Sequence, residues 1–364
     1  MRYNNCFKIG DAEISISAPT YFIADIAANH DGSLDRARAL IRLAKEAGAD
    51  CVKFQHFRAD KIVSDVGFRD LGSQASHQSR WKKSVFETYR DAEFNRDWNA
   101  TLADEAKDAG VHFMTTPYDT EAVDQVDPLV LAFKIGSGDV TWPEFIQYVA
   151  SKGKPVLLAC GASSLEDTVR AVETAIAVNP NFALLQCNTN YTGSIENFHC
   201  VNLRALKQLG ELYPQMVVGL SDHTPGHVTV LGAIALGARV VEKHFTDDNS
   251  REGPDHGFSM NPKTWREMID RSRELEASLG DGLKKVEENE QETVVLQRRC
   301  LRLTRDAAAG AVLTVDMLEA LRPAPRGSVP PYGLPNVVGR TLKTARTYGS
   351  ALNWADVDGE AARA

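Results

Sequence analysis

The chain has 364 residues, 43% of them hydrophobic and 25% charged, with a formal net charge of −8. These are proportions of a globular protein large enough for one extensive core and a small second domain. The acidic balance argues against non-specific binding to nucleic acid or acidic membranes, and no apolar run reaches the roughly 18 residues of a membrane span. The opening Met1-Arg2-Tyr3-Asn4-Asn5 does not read as a signal peptide. The cysteines (Cys6, Cys51, Cys160, Cys187, Cys200 and Cys300) contain no CxxC pair and read as reduced thiols of a cytoplasmic protein.

From residue 20 to about 280, strand-like runs alternate with helix-like ones. Strands are predicted near 21–26, 50–55, 111–115, 130–135, 155–160, 182–187, 216–220 and 239–244. Ser33 caps a helix in which Leu34, Ala37, Leu40, Ile41 and Ala44 keep a helical period until Gly48. Further helices are predicted at 95–109, 164–178, 198–209 and 225–237. Eight β/α units of this total length predict an α/β protein, a (β/α)8 TIM barrel over residues 1–282. No GxGxxG turn follows the first strand, which counts against an open doubly wound sheet. Residues 57–95 form a long insertion after the second strand, a candidate lid or substrate loop. A polar linker over 283–298 leads to a small β-rich domain over 299–364.

The C-terminal ends of barrel strands share one face, where chemistry collects. Here they deliver Asp25; Lys53 and Gln55; Thr116; Lys134, Ser137 and Asp139; Asn188 and Asn190; Ser221 and His223; and Glu242, Lys243 and His244. A barrel lumen is otherwise filled by branched apolar side chains, so lysines and carboxylates in it need a ligand or each other. Lys53 and Lys134 with the hydroxyls of Thr116, Ser137 and Ser221 suit a phosphate group. His223 and His244, each closing an apolar run, suit a divalent metal with open positions, and a mixed imidazole and oxygen set favours Mn2+. Asp25 is placed to position a water or move a proton. His77, His112, His199 and His227 read as ordinary structural histidines, and His256 stands between the two readings.

These residues match a family. In order they read Phe22-Ile23-Ala24-Asp25-Ile26-Ala27-Ala28-Asn29-His30, Val52-Lys53-Phe54-Gln55, Thr115-Thr116-Pro117, Lys134-Ile135-Gly136-Ser137-Gly138-Asp139, Ser221-Asp222-His223-Thr224, Glu242-Lys243-His244-Phe245 and Gly253-Pro254-Asp255-His256. The chain resembles the sialic acid synthases, the nonulosonate synthases that condense phosphoenolpyruvate with an N-acetylated hexose. The tail resembles their antifreeze-like (SAF) domain, with Leu321-Arg322-Pro323 at its signature segment. The resemblance implies a domain-swapped homodimer in which Arg322 of one chain contacts the sugar in the other's site. It implies that His223 and His244 hold Mn2+, while Lys53, Thr116, Lys134, Ser137 and Ser221 hold phosphoenolpyruvate. Asn188, Asn190 and Tyr191 would lie nearby, Gln55 and Asp255 would face the sugar, and Asp25 and Asp139 would join the lysines as catalytic groups.

Two carboxylates depart from the family pattern: Asp25 and Asp139 stand where glutamates are usual, each one methylene shorter. The segment Asn188-Thr189-Asn190-Tyr191-Thr192-Gly193 lacks the usual Tyr-Pro pair. These changes point to an acceptor other than N-acetylmannosamine, such as a diacetamido-dideoxy hexose. A condensation on a phosphorylated sugar, as in 3-deoxy-sugar-acid phosphate synthases, would need a second phosphate site, for which Arg80, Lys82 and Lys83 are the candidates. A catalytically inactive sugar-binding homologue is the other alternative.

Overall fold

The chain opens with a hairpin, β1 (Cys6–Ile9) against β2 (Ala12–Ser15), which the hydrophobic pattern alone did not reveal. Eight parallel strands follow: β3 (Tyr21–Asp25), β4 (Cys51–His56), β5 (His112–Pro117), β6 (Phe133–Ile135), β7 (Val156–Ala159), β8 (Phe182–Cys187), β9 (Val217–Asp222) and β10 (Val240–His244). They close into a barrel in sequence order, with β10 returning to β3. This is the expected (β/α)8 architecture. The computed structural model describes residues 2–72, 78 and 81–358.

Strand side chains alternate between the two faces of the sheet. The outward positions (Phe22, Val52, Phe54, Phe113, Phe133, Phe182 and Val241) pack in one core with helix residues such as Leu40, Ile41, Val172 and Trp265. The inward ones change character along the barrel axis. Tyr21, Ile23, Cys51, Met114, Leu157, Leu185, Val217 and Val240 fill the lower lumen together with Phe7, Ile9 and Ile14 of the hairpin, which closes that end. Two residues further along β3, β4, β5 and β10 the inward positions are Asp25, Lys53, Thr116 and Glu242, and four further along β9 stands Ser221, all buried. The alternation that builds the core therefore also aims these polar groups into one space.

The helices differ from expectation in instructive places. Ser33 caps Leu34–Glu46, its side chain accepting from the Arg36 amide. The helix predicted from residue 95 begins at Asn99, after a single turn at Arg96–Trp98 capped by Asn95. The one expected at 198–209 is instead a short turn, Ile195–His199, followed by a helix at Ala205–Leu212. Asn202 between them adopts a left-handed φ of 51°, which Asn tolerates and a continuous helix does not. Among the described residues the insertion carries the short helices Ala59–Ile62, Asp65–Asp70 and Val85–Asp91, the last begun by a Ser84–Glu87 capping box. Helices at Thr120–Val126, Pro143–Ala150, Leu165–Ile176, Val228–Ala235 and Pro262–Leu279 complete the barrel's outer layer.

A second compact unit starts at Asp281. Its first residues are not all irregular as expected, since Gln291–Gln297 is helical. β11 (Cys300–Leu303) pairs with β12 (Leu318–Leu321), and Leu301, Leu313, Val329, Val337 and Leu352 form a small core of their own. The apolar runs at 312–314 and 337–342 contribute isolated bridges such as Val312 to Thr341 and a short helix, Leu334–Val337, instead of strands. All six cysteines are free, and no helix among the described residues is long and apolar enough to cross a membrane.

Gly219 sets how closely β9 can approach β10. A Cβ there would lie 2.3 Å from the Val240 carbonyl oxygen and 2.8 Å from Leu185 Cδ2. Gly219→Ala is expected to cost about 3 kcal/mol of stability, read as a lower denaturant midpoint at unchanged slope. An unaltered midpoint would mean that the strand spacing is not as described.

Candidate active site

The strand ends bring the predicted residues together in two adjoining spaces. An inner recess of about 30 Å³ is lined by Asp25, Lys53, Gln55, Thr116, Lys134, Ser137, Tyr191, Ser221, His223 and His244. An outer cavity of about 260 Å³ shares Gln55, Ser137, Tyr191 and His244 with it and adds Asp255. Its remaining walls are largely apolar or aromatic, with Phe57, Ile62, Trp81 and Tyr89 from the insertion and Tyr118 from the end of β5.

Two buried ion pairs dominate the recess. Lys53 Nζ lies 2.8 Å from Asp25 Oδ2 and donates to Thr116 Oγ1 at 2.9 Å. Lys134 Nζ donates to Glu242 Oε1 at 3.1 Å, and that oxygen also accepts from Ser221 at 3.0 Å. Burial alone would strip charge from these groups. Burial acts to lower Lys53, but Asp25 and Glu242 beside it prevail and hold its pKa above the usual lysine value. Burial likewise acts to raise Glu242, and the two lysines prevail and hold it below the usual carboxylate value. Glu242 Oε2 remains buried without a partner.

The two imidazoles stand with ring centroids 5.4 Å apart. His223 Nδ1 is 3.0 Å from the Asn188 carbonyl, which can only accept, so Nδ1 carries a proton; burial acts to lower this ring's pKa, but Cys187 and the Asn188 carbonyl beside it prevail and hold it above the usual histidine value. His244 Nδ1 is buried without a hydrogen bond, and burial with His223 nearby holds this ring neutral by pushing its pKa well down. Asp25 Oδ2 lies 3.6 Å from His244 Nε2, and Asp255 Oδ2 lies 3.7 Å from its Nδ1. Burial, with Asp25 close by, raises Asp255 to about 6. The donor set is two imidazoles flanked by carboxylate oxygen, and it fits a divalent ion that takes the place of the His223 Nε2 proton and has room for further oxygen ligands. Among the described residues, no three His, Cys, Asp or Glu side chains are grouped to hold an ion by themselves.

Some expected residues sit elsewhere. Asn188 turns its amide to the Cys200 carbonyl, and Asn190 accepts from the amide and hydroxyl of Thr192, so both side chains lie outside the walls of the two spaces. Arg322 is exposed in the second unit, directly after β12. Lys82 pairs with Glu252 and Lys83 with Asp91; Arg80 and His77 lie outside the described residues. His256 is structural, held between Thr246 Oγ1 and Asp31 Oδ1 at 2.8 Å each. His112 is likewise tied up, by Tyr21 and Asp11, and His227 precedes a helix. Sequence reasoning gave no role to Glu242, Cys187 or, Tyr191 aside, the aromatic residues of the outer cavity. Period two was the available signal: Glu242 stands two before His244, Cys187 two after Leu185, and Tyr118 two after Thr116.

A closed parallel barrel whose C-terminal strand ends converge buried lysines, carboxylates and imidazoles on one cavity is the architecture of an enzyme. The chain belongs to the NeuB family, whose model matches residues 40–284, and is an enzyme of the sialic acid synthase type. It is 33% identical to the N,N'-diacetyllegionaminic acid synthase of Legionella pneumophila over 94% of this chain and 96% of that protein. It is also 33% identical to the N-acetylneuraminate-9-phosphate synthase of Homo sapiens over 89% of each. Among solved structures, it is similar to the N-acetylneuraminic acid synthetase of Leptospira borgpetersenii, with a TM-score of 0.68 and 26% identity, covering 79% of this chain and 95% of that one.

Asp139 lies in the short turn Ser137–Asp139, apart from the ion pairs, with Oδ2 buried and unpartnered. Burial raises its pKa to about 6. The folded state therefore keeps a proton that the unfolded chain releases near its ordinary 3.8, and stability falls as pH rises from about 4 to about 6. Asp139→Asn removes that loss. Relative to wild type, the variant is expected to gain about 2 kcal/mol between pH 4.5 and pH 7 in denaturant titrations. Parallel pH profiles would show that this carboxyl is solvated.

Proposed function

We propose that this enzyme condenses phosphoenolpyruvate with an open-chain N-acetylated hexose, giving a nine-carbon 2-keto-3-deoxy acid and phosphate. The observation that carries the reading is the inner recess, where Lys53 and Lys134 meet the hydroxyls of Thr116, Ser137 and Ser221 beside two imidazoles. Two ammonium groups and several neutral donors match a small molecule bearing both phosphate and carboxylate. His223 and His244 would hold a divalent ion, for which Mn2+ is our choice. When bound, such an ion supplies Lewis acidity to the acceptor's aldehyde oxygen.

The remaining chemistry falls to the chain's own groups. Lys53 and Lys134 bind the anion and fix its C3 toward the aldehyde carbon. The C2–C3 π electrons form the new carbon–carbon bond while the aldehyde's C=O π pair moves onto its oxygen, which becomes a hydroxyl with one of the protons the added water later releases, and positive charge develops at C2. Water adds there, with Asp25 near enough to take its proton, and the C2–O bond to phosphate breaks as the ketone forms. Fixed charges aimed at the developing charge supply most of the acceleration in sites of this kind.

The outer cavity supports a finer choice of acceptor. Its described walls offer Phe57, Trp81, Tyr89 and Tyr118 and no lysine or arginine, while Lys82 and Lys83 are each paired with a carboxylate. Such a surface suits acylamino and deoxy carbons better than a phosphate. We therefore favour a diacetamido-dideoxy hexose over both N-acetylmannosamine and a phosphorylated sugar.

The test is Mn2+-dependent phosphate release from phosphoenolpyruvate across free, phosphorylated and diacetamido hexoses, with mass spectrometry of the products. The diacetamido acceptor is expected to give the highest kcat/KM. A better phosphorylated acceptor would overturn the specificity, and silence with every acceptor would overturn the condensation itself. His223→Ala and His244→Ala are expected to abolish turnover with melting temperatures within a few degrees of wild type. Trp81→Ala should raise the acceptor's KM about tenfold and leave that of phosphoenolpyruvate unchanged; equal effects on both would remove Trp81 from the acceptor's surroundings.

A further inference from the structure

Most outward positions of β9 and β10 are apolar: Val218 and Leu220 on one strand, Val241 on the other. The last outward pair is not. Asp222 and Lys243 are register partners, both buried, and face the helix layer instead of the lumen. Lys243 Nζ donates to Asp222 Oδ2 at 2.5 Å and to the Thr224 carbonyl at 2.7 Å. Asp222 also accepts from the Thr224 amide at 3.1 Å, from the Thr224 hydroxyl, and at 2.7 Å from Thr229 on the helix Val228–Ala235. Neither Asp222 nor Lys243 lines the recess or the outer cavity.

What this pair brackets gives it meaning. Asp222 and Thr224 flank His223, and Lys243 immediately precedes His244. One ammonium group therefore holds the carboxylate of the residue before the first imidazole and the backbone carbonyl of the residue after it, while its own backbone carries the second. A buried ion pair adds little stability over well-packed apolar residues of the same volume, and apolar neighbours for such residues are already present. What the charges add is direction, because donors and acceptors fix distances that packing leaves soft.

We infer that the Lys243–Asp222 pair is a positioning clamp that sets the separation and orientation of His223 and His244 for metal binding, from outside the barrel lumen. This rests on the metal reading proposed above. The residues touch neither substrate nor ion; they act through the two histidines.

The experiment measures Mn2+ binding to the purified full chain, by calorimetry and by Mn2+ electron paramagnetic resonance, with no substrate present. Lys243→Met should weaken Mn2+ about tenfold to a hundredfold, Thr229→Val a few-fold, and Lys243→Arg should bind more tightly than Lys243→Met. Histidine ring resonances of the metal-free protein give a second readout. Those assigned to His223 and His244 should move in Lys243→Met, while that of His112 stays in place. Thr229→Val leaves no unpaired charge, so it keeps the test open if Lys243→Met does not fold. Mn2+ affinity equal to wild type in Lys243→Met or, if that variant is unfolded, in Thr229→Val would overturn the clamp and leave the metal reading standing. An arginine variant no better than the methionine one would also overturn it. Wild-type protein whose Mn2+ binding is absent, or is indifferent to His223→Ala, would instead overturn the metal reading, and the clamp with it.

Discussion

Two lysines enclosed in a parallel barrel have no route to solvent, and the organisation of the site follows from how their charges are met. Lys53 and Lys134 are both nearly inaccessible, and each has drawn a carboxylate from another strand. Removing one member of such a pair typically costs about 3–5 kcal/mol, because the remaining charge is stranded in a poorly polarisable interior. An entering ligand meets the same arithmetic. It must bring enough negative charge to replace Asp25 and Glu242 as partners, or leave the lysines where they are. Small molecules with one weak anionic group cannot do this, whereas a molecule with both a carboxylate and a phosphate can. On the function proposed above, the resting ion pairs thus favour a multiply charged anion.

The ion pairs in turn depend on a gradient along the barrel axis. The hairpin residues Phe7, Ile9 and Ile14 seal the lower lumen, so no water reaches the charged layer from below. Above it, the insertion contributes aromatic side chains to the outer cavity. The polar layer therefore lies between an apolar floor and a largely apolar upper wall. That placement raises the worth of each electrostatic contact. It also separates labour: charge recognition occurs at the strand ends, and shape recognition occurs on segments that can vary without disturbing the barrel.

The strands and the residues at their ends were legible because parallel strands buried on both faces read as apolar runs, and polar residues closing such runs are conspicuous. Val240-Val241-Glu242-Lys243-His244 shows both the strength and the limit of that signal. The run located the strand and its histidine. Which charged neighbour faces the lumen follows from period two: Glu242 and His244 point in, Lys243 points out to Asp222. The hairpin plug was invisible because four-residue strands at Cys6–Ile9 and Ala12–Ser15 are too short to show periodicity. The shifted helix after residue 199 turned on the left-handed backbone at Asn202, which no apolar pattern encodes. Asn188 and Asn190 looked like ligands because amides near a strand end often are. Their loop instead consumes them, in bonds to Cys200 and Thr192.

The choice of aspartate at position 25 is also explained locally. Oδ2 of Asp25 is shared by Lys53 at 2.8 Å and the Gln55 amide at 3.1 Å, and its Oδ1 accepts from the Ala27 backbone at 3.1 Å. Ala27 reaches that position through a left-handed backbone, with φ of 47°, an uncommon conformation for a residue bearing a Cβ. The turn curls back toward the short carboxyl so that both its oxygens are engaged. A side chain one methylene longer would carry its carboxyl about 1 Å further and lose the Ala27 amide or crowd Lys53. The shorter acid and the strained turn thus form one unit. A carboxyl bound on both oxygens while remaining 3.6 Å from His244 is an ordered part of the site, the opposite of what a decaying one would leave behind.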